Sequence, residues 1–480
     1  MGVTFTIFLL GNTIVAKADG NIKIAKAIYD GTQLKITMAG SLEDGTNAFS
    51  IVSSDGVEAA IKNVNGKGAI FNIEMLEPLN LSKRYHIMFG GNAYEITMPD
   101  YYGTEERKHR VVLLPVWIIY WATEYHIDGF RFDLVGLIDT ETINEVMEAV
   151  HAVRPDVVFY GEGWTLGTEL TKDGYMMTTQ NNSTQVPGFA FFSDTLRDGL
   201  KGSVFSTSER GYVSGGSKLE SVMESCFVGK AGTWCITPVQ AINYASCHDN
   251  NTLYDRLQLS CPDASQEDLI KMNNLSAAIY MTAQGIPFVH AGEEMLRTKV
   301  NADGSFNENS YNSTDEVNNI KWDTLEDPVY AEVVDYYKGL ISFRKAHPVL
   351  RLTTPEAVAE HVTVVDMEEP NVTAFSITGG VEGETADAMY IVFNPNKEAK
   401  EITLPEGKWH VCINGEKAGT ESLEKVSGKV TVDEISAMVL VQGENAVTTH
   451  SEKGNAMEFV AYLGVAGAVI ATSVVKKRRR

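Results

Sequence analysis

The pattern of hydrophobic and polar positions over residues 20–100 is that of an all-β module. Short apolar runs alternate there with turn dipeptides: Asp30-Gly31, Asp44-Gly45, Asp55-Gly56, Asn65-Gly66 and Gly90-Gly91. Short runs with turns at this spacing are typical of a β-sandwich. We therefore predict a β-sandwich accessory domain at residues 20–100.

Residues 101–350 follow a different pattern, in which strand-like apolar runs alternate with helical periodicity. That alternation is typical of βα units around a parallel sheet. Helices are predicted at Thr142–Val153 and Glu267–Gln284, and strands at Ile127–Leu134, Val157–Trp164, Phe189–Phe192, Ile242–Asp249 and Ile286–Ala291. Because a TIM-type (β/α)8 barrel requires eight strands, this multidomain chain is predicted to hold a partial barrel at 101–350.

Short strands and turns return at residues 351–445, which predicts a C-terminal β-sandwich domain. In the last segment, 446–480, a polar linker leads to the uncharged stretch Phe459–Val475 and then to five basic residues. An apolar stretch of this length is at the lower limit for a transmembrane helix, and the basic end predicts a cytoplasmic tail. We expect a membrane partner here and the other domains at the extracellular face of the cell membrane. The alternatives are a core helix and an interfacial helix, and the lack of a polar face argues against the second.

Residues 1–19 leave two interpretations open. The apolar stretch at 4–16 followed by Ala16-Lys17-Ala18 is typical of a signal peptide and its cleavage site. Gly11-Asn12 between two β-prone runs is typical of a hairpin turn. The segment is therefore either signal-like or the end of a truncated upstream domain.

The charge and the cysteines exclude several classes of function. The chain has 40 basic and 63 acidic residues, a formal net charge of −23. An acidic surface repels the phosphate backbone, so we expect no nucleic-acid partner. The five cysteines include no C-x-x-C pair, which leaves a disulfide framework or a zinc site unsupported. No metal ligands are predicted.

The segment His126-Ile-Asp-Gly-Phe-Arg-Phe-Asp133-Leu carries the first candidate chemistry. Side chains alternate in direction along a strand, so Arg131 and Asp133 share one face while Phe130 and Phe132 take the other. The positive charge of Arg131 should keep the Asp133 carboxylate ionised. An ionised carboxylate at a strand end is suited to be a nucleophile, and a structural Arg–Asp pair is the alternative.

Two further segments carry acidic groups at predicted strand ends. In Tyr160-Gly-Glu162-Gly-Trp164, the two glycines allow close backbone approach, and an aromatic wall beside Glu162 would suit a general acid. In Ser246-Cys-His248-Asp249-Asn-Asn-Thr, the imidazole and carboxylate could bind sugar hydroxyls, or pair with each other and a water or metal. Glycoside hydrolysis requires two carboxylates across the scissile bond.

Together the segments DGFRFDL (128–134), YGEGW (160–164) and HDNNT (248–252) resemble three of the four signature regions of type I pullulanases in glycoside hydrolase family 13. PGFAFFSDTLRDGLKG (187–202) is also similar. The resemblance implies that Asp133 is the nucleophile, Glu162 the acid/base and Asp249 the transition-state stabiliser. It further implies that Arg131, His248 and Trp164 contact the substrate.

The resemblance implies hydrolysis of α-1,6 branches in pullulan, starch or glycogen, with an α-glucan as partner. No cofactor is required by the residues, and calcium binding would follow from the resemblance alone. The first signature region is absent, since none of the ten histidines follows an asparagine. We therefore expect an internal deletion of the first barrel units and impaired activity. The alternatives are a non-catalytic glucan-binding surface protein derived from a pullulanase and a purely structural surface module.

Overall fold

The structure, a computed structural model, describes residues 22–447 except 30–32, 44–47, 55, 80–82, 98–116 and 173. The chain divides into two compact units. One unit comprises the chain up to Phe130 with Ile138–Phe159 and Gly174–Met176, and the other comprises Arg131–Leu137, Tyr160–Asp173 and the chain from Met177 onward. The predicted segments 1–19 and 459–475 lie outside the described residues.

The first unit contains two antiparallel sheets. One has the order β1-β2-β5 and the other β4-β3-β6-β7. Alternating buried side chains, such as Leu34, Ile36, Phe71 and Ile73, form its core. The strands are β1 Lys23–Tyr29, β2 Gln33–Leu42, β3 Ser50–Ser53, β4 Glu58–Ala59, β5 Ile61–Met75, β6 Tyr85–Phe89 and β7 Asn92–Glu95.

The Asn65-Gly66 pair was expected to form a turn, and the chain reverses close to it within the continuous β-structure Ile61–Met75. Lys62 pairs with Glu74 at 2.7 Å, and the Leu76 N–H donates to the Ala60 carbonyl at 2.9 Å. Gly66 has a φ of 132°, and a Cβ at this position would lie 2.3 Å from the carbonyl oxygen of Ile70. The β2–β5 register also shifts between Thr37 and Leu42. Glycine here therefore permits the close approach that the chain reversal within residues 61–75 requires.

Two helices belong to the first unit: α1 at residues 117–124 and α2 at Thr140–His151. Asp139 caps α2, because its side chain accepts a hydrogen bond from the backbone N–H of Thr142 at 3.0 Å. The predicted start at Thr142 was two residues late, since the capping aspartate rather than the first apolar residue sets the boundary.

The barrel region is a five-stranded sheet in sequence order, β12-β11-β10-β9-β8. Its strands are β8 Gly129–Phe132, β9 Val158–Gly161, β10 Phe189–Phe192, β11 Ala241–Asn243 and β12 Ile286–Pro287. Strand β11 pairs in parallel with both β10 and β12. Each strand lies where the apolar runs predicted it, and the described residues form a partial barrel sheet.

Aromatic residues fill both faces of this sheet. On one face, Phe132 contacts Phe189 with their ring centroids 5.8 Å apart. On the other, Phe192 and Tyr244 belong to a buried cluster, and the Arg131 guanidinium lies 5.5 Å from the Phe192 ring. The alternation predicted for Arg131 and Phe132 is therefore the one observed.

The second unit adds helices around this sheet. The α-helices are α3 Glu169–Lys172, α4 Asp194–Lys201, α5 Glu220–Phe227, α6 Leu253–Ser260, α7 Gln266–Thr282, α8 Asp315–Asn318, α9 Pro328–Ala346 and α10 Pro355–His361. Short 3-10 helices occur at Val135–Leu137, Gln180–Gln185, Tyr212–Ser214, Pro238–Gln240, Glu293–Met295, Trp322–Glu326 and Pro348–Arg351.

A β-domain follows these helices and shares their core. Its main sheet has the order β13-β14-β15-β20-β17-β18, and β16 pairs with β19. The Phe227 ring of α5 stacks on Phe375 of the sheet at 3.7 Å. The strands are β13 Val362–Val365, β14 Thr373–Thr378, β15 Ala388–Asn394, β16 Lys400–Thr403, β17 Trp409–Ile413, β18 Glu424–Val426, β19 Lys429–Val432 and β20 Ser436–Gln442.

Among the helices that the structure describes, none is long and apolar enough to cross a membrane. The longest, α9, has 19 residues and carries charged side chains including Glu332, Asp335 and Lys338. The prediction of a transmembrane helix as part of the fold class is therefore wrong for the fold that the structure describes. The membrane partner and the location at the extracellular face of the cell membrane depended on that helix and are corrected with it.

Candidate active site

The three predicted carboxylates follow β8, β9 and β11 of the barrel sheet. Asp133 comes directly after β8, and Glu162 directly after β9. Asp249 lies six residues beyond the end of β11. The carboxyl ends of the strands in such sheets form the usual active-site face.

Arg131 connects two of the carboxylates. Its Nη1 donates to Oδ1 of Asp133, and its Nη2 donates to Oε1 of Glu162 at 2.6 Å. The second oxygen of Glu162 accepts from the backbone N–H of Leu134 at 3.1 Å. Glu162 is only 4% exposed, whereas the Asp133 side chain is 60% exposed. The two acidic groups therefore have different environments although one guanidinium contacts both.

The backbone between β8 and β9 brings these side chains together. The N–H of Glu162 donates to the carbonyl of Phe132 at 3.1 Å, and the N–H of Gly136 donates to the carbonyl of Glu162 at 3.3 Å. A Cβ at Gly161 would lie 2.4 Å from the Phe132 carbonyl oxygen. Only glycine allows the strand ends to approach this closely.

His248 lies next to Asp133 and Asp249. Its Nε2 is 3.3 Å from Oδ1 of Asp249 and 3.8 Å from Oδ1 of Asp133. Ligand atoms of Asp133, Glu162 and His248 all lie within 4.8 Å of one another. Carboxyl groups stand about 5–5.5 Å apart in retaining glycosidases and about 6.5–9.5 Å apart in inverting ones. One oxygen of Asp133 and one of Glu162 therefore lie close enough for the two carboxyl groups to flank one glycosidic bond.

These three residues do not fit a calcium site. Calcium takes about six to eight oxygen ligands, whereas the group offers two carboxylates and one imidazole nitrogen. The cationic guanidinium of Arg131 also contacts both carboxylates and would repel a metal ion.

A groove of about 600 Å³ borders Asp249 and Trp164. The Trp164 ring faces the Arg197 guanidinium at 5.8 Å, and Phe205 is 91% exposed. Of the groove residues, the sequence predicted only Asp249 and Trp164. Asp194 and Arg197 lie in segment 187–202, which was noted for its resemblance but not for these two side chains. The other lining residues are Thr165, Gln180, Val204, Asn250, Glu308 and Asn309.

Buried ionisable groups lie behind the His248–Asp249 turn. Burial raises the pKa of Glu293 and lowers the pKa of His290 to about 3. Burial also lowers the pKa of Lys299. The sequence predicted none of the three, because nothing in a single sequence shows which polar residues beyond β12 will be buried.

Comparison with known proteins supplies independent similarities. The family model described as "Pullulanase, all-beta domain" matches residues 358–417. The pullulanase of Bacillus subtilis strain 168 is 31% identical over 329 residues, which cover 67% of this chain and 44% of that protein. Pullulanase 1 from Arabidopsis thaliana chloroplasts is 25% identical over 434 residues, 68% of this chain and 44% of that protein.

Solved structures are similar over the same extent. The pullulanase from Bacillus acidopullulyticus aligns with a TM-score of 0.66 and 33% identity, covering 74% of this chain and 41% of that one. The type I pullulanase of Bacillus subtilis complexed with maltose aligns with a TM-score of 0.66 and 29% identity, covering 71% and 47%. The chain therefore spans less than half the length of each of these relatives.

Proposed function

Because the chain is a pullulanase-type member of glycoside hydrolase family 13, we propose that it hydrolyses α-1,6-glucosidic branches of an α-glucan with retention of configuration. Pullulan, starch and glycogen are the candidate substrates. The observation that carries the proposal is the proximity of Asp133 and Glu162 at the ends of β8 and β9, where one oxygen of each lies within 4.8 Å of the other.

In the first step, an Asp133 oxygen attacks the anomeric carbon and the bond from that carbon to the leaving oxygen breaks. Glu162 gives its proton to the leaving oxygen, so the product leaves as an alcohol. In the second step, water attacks the same carbon and loses its proton to Glu162, which releases Asp133. Before the first step, Glu162 has to exchange its contact with Arg131 for a proton and the substrate oxygen.

The neighbouring residues have supporting roles in this proposal. Arg131 orients the Asp133 carboxylate through a charge-assisted hydrogen bond. Asp249 and His248 are within reach of the same sugar and bind its hydroxyls. Trp164 lines the groove beside them and offers an aromatic face to a neighbouring glucose unit.

The direct test is release of reducing ends from pullulan by the wild-type chain, Glu162→Gln and Asp133→Asn. We expect Glu162→Gln to lose roughly 10²–10⁴-fold in kcat, the range for removal of a general acid or base. Asp133→Asn lacks the nucleophile and should lose at least as much. The anomeric configuration of the first product, followed by NMR, should be α. A β product, or equal rates for the wild type and both variants, would contradict the proposal.

A second candidate function is non-catalytic glucan binding. It is favoured by one observation: donors occupy both oxygens of Glu162 and Arg131 contacts both carboxylates, an arrangement that holds the pair without substrate. Affinity electrophoresis in amylopectin gels distinguishes the two functions. Binding without hydrolysis by the wild type would support the second candidate. Absence of both binding and hydrolysis would contradict both candidate functions.

A further inference from the structure

Ser246 links the site to a buried carboxylate. Its Oγ donates to Oε2 of Glu293 at 2.6 Å, and it precedes His248 by two residues. The other oxygen of Glu293 accepts from Tyr280 Oη of α7 at 2.7 Å and from Tyr337 Oη of α9 at 3.1 Å. Two helices and the strand end that leads to His248 therefore meet at one carboxylate.

Lys299 holds the same turn from a second point. Its Nζ donates to the backbone carbonyl of His248 at 2.9 Å. Its own backbone N–H donates to Oδ2 of Asp255 in α6 at 2.8 Å. Glu293 and Lys299 are 3% and 2% exposed, so neither is in a position to touch a substrate.

We infer that Glu293 and Lys299 are positioning residues that fix the turn carrying His248 and Asp249. This inference rests on the proposed function. Both residues follow β12, and both bonds converge on the backbone or hydroxyl of residues 246–248.

Ser246→Ala is the sharpest variant, because it removes the link to the turn and leaves both tyrosines bonded to Glu293. We expect kcat for pullulan to fall about 10–100-fold, as for other small displacements of catalytic groups, with KM changing less than about threefold. Ser276→Ala is the matched control. Ser276 is also fully buried, and its Oγ donates only within α7, to the carbonyl of Met272 at 3.0 Å.

Glu293→Gln and Glu293→Leu add a rescue test. The amide can accept from the tyrosines and donate to Ser246, so we expect Glu293→Gln to keep kcat within about threefold of the wild type, whereas Glu293→Leu should resemble Ser246→Ala. Equal losses in the two Glu293 variants, or a Ser246→Ala effect no larger than that of Ser276→Ala, would overturn the inference.

A readout without hydrolysis separates this inference from the proposed function. The imidazole Cε1–H NMR signal of His248 should shift in Ser246→Ala and Glu293→Leu but not in Ser276→Ala. If the wild type does not hydrolyse pullulan, the proposed function fails, and the NMR shifts alone then decide the inference. Unshifted His248 signals in all variants would refute the positioning role.

Discussion

Lys201, the last residue of α4, is a buried cation close to the site. It is 1% exposed. Burial lowers its pKa from 10.5 to about 8. Below pH 8 the lysine is charged in both states, and burying that charge lowers the free energy of unfolding. This destabilisation decreases as the pH rises from 8 toward 10.5.

We expect Lys201→Met to raise the free energy of unfolding at pH 7 by on the order of 2–3 kcal/mol, at about 1.4 kcal/mol for each pH unit of the shift. The gain should have almost vanished at pH 10.5, where the lysine is neutral in the folded chain and about half protonated in the unfolded chain. Urea unfolding of both proteins at pH 7 and pH 10.5 measures the difference. A variant that is less stable at pH 7 would mean that the ammonium group makes a favourable contact.

Arg131 is the residue at which sequence reasoning was partly sufficient. The i, i+2 spacing predicts that Arg131 and Asp133 share a face, which the structure has. The contact to Glu162, 31 residues away, was not predicted, because it depends on how β8 and β9 pair and on the close approach at Gly161.

Arg131→Lys should separate charge from geometry. A lysine keeps the positive charge but cannot present the planar fork that donates to two carboxylates at once. We expect kcat for pullulan to fall about 100-fold, through misplacement of the two carboxylates, with little change in the unfolding midpoint. Arg154→Lys is the matched control. Arg154 also contacts two carboxylates, those of Asp128 and Asp156, and its side chain is 22% exposed against 24% for Arg131. Equal activity losses would show that the effect is not specific to the site.

At the scale of elements, the positions of strands and helices follow from apolar periodicity, but their ends do not. The predicted strand Ile242–Asp249 ends in the structure at Asn243. The residues that follow form hydrogen bonds outside the sheet: Ser246 donates to Glu293, and the His248 carbonyl accepts from Lys299. These two partners lie 47 and 51 residues further along the chain. A local pattern carries no information about such contacts.

Gly161→Ala tests the junction of β8 and β9. The added methyl would lie 2.4 Å from the Phe132 carbonyl, so the two strand ends must separate. We expect a loss of about 1–3 kcal/mol in the free energy of unfolding, typical of overpacking, together with reduced hydrolysis. Gly167→Ala is the control in the same segment, because a Cβ there meets no atom within 4 Å. Equal stability of the two variants in urea would contradict the close approach.

At the scale of the whole molecule, the count of strand signals predicted a partial barrel, and the described residues contain a five-stranded sheet. Closure of a barrel would leave no edge, whereas this sheet ends at β8 and β12. Whether an internal deletion separates the first β-sandwich from β8 stays a prediction, since residues 98–116 lie outside the described part. The shared core of helices and β-domain was not predictable, because it joins residues such as Phe227 and Phe375 that lie far apart in sequence.

That shared core predicts how the second unit unfolds. Phe227 and Phe375 are both 1% exposed or less and stack at 3.7 Å between α5 and β14, while Tyr212 donates to the carbonyl of Phe393 at 3.0 Å. Because one apolar cluster includes residues of the helices and of the β-domain, neither part can unfold without exposing the interior of the other. The helices and the β-domain should therefore melt in one calorimetric transition.

Phe375→Ala should lower the free energy of unfolding of that transition by about 3–5 kcal/mol, the usual effect of deleting a buried phenylalanine. The far-UV signal of the helices should shift with the β-domain signal, although residue 375 is in a strand. Phe205→Ala removes the same group from a ring that is 91% exposed and should leave the midpoint within about 0.5 kcal/mol of the wild type. If Phe375→Ala instead split the transition, with the helices melting at the wild-type temperature, the two parts would be independent domains. The five strands of the barrel sheet would then have to be stable without the β-domain.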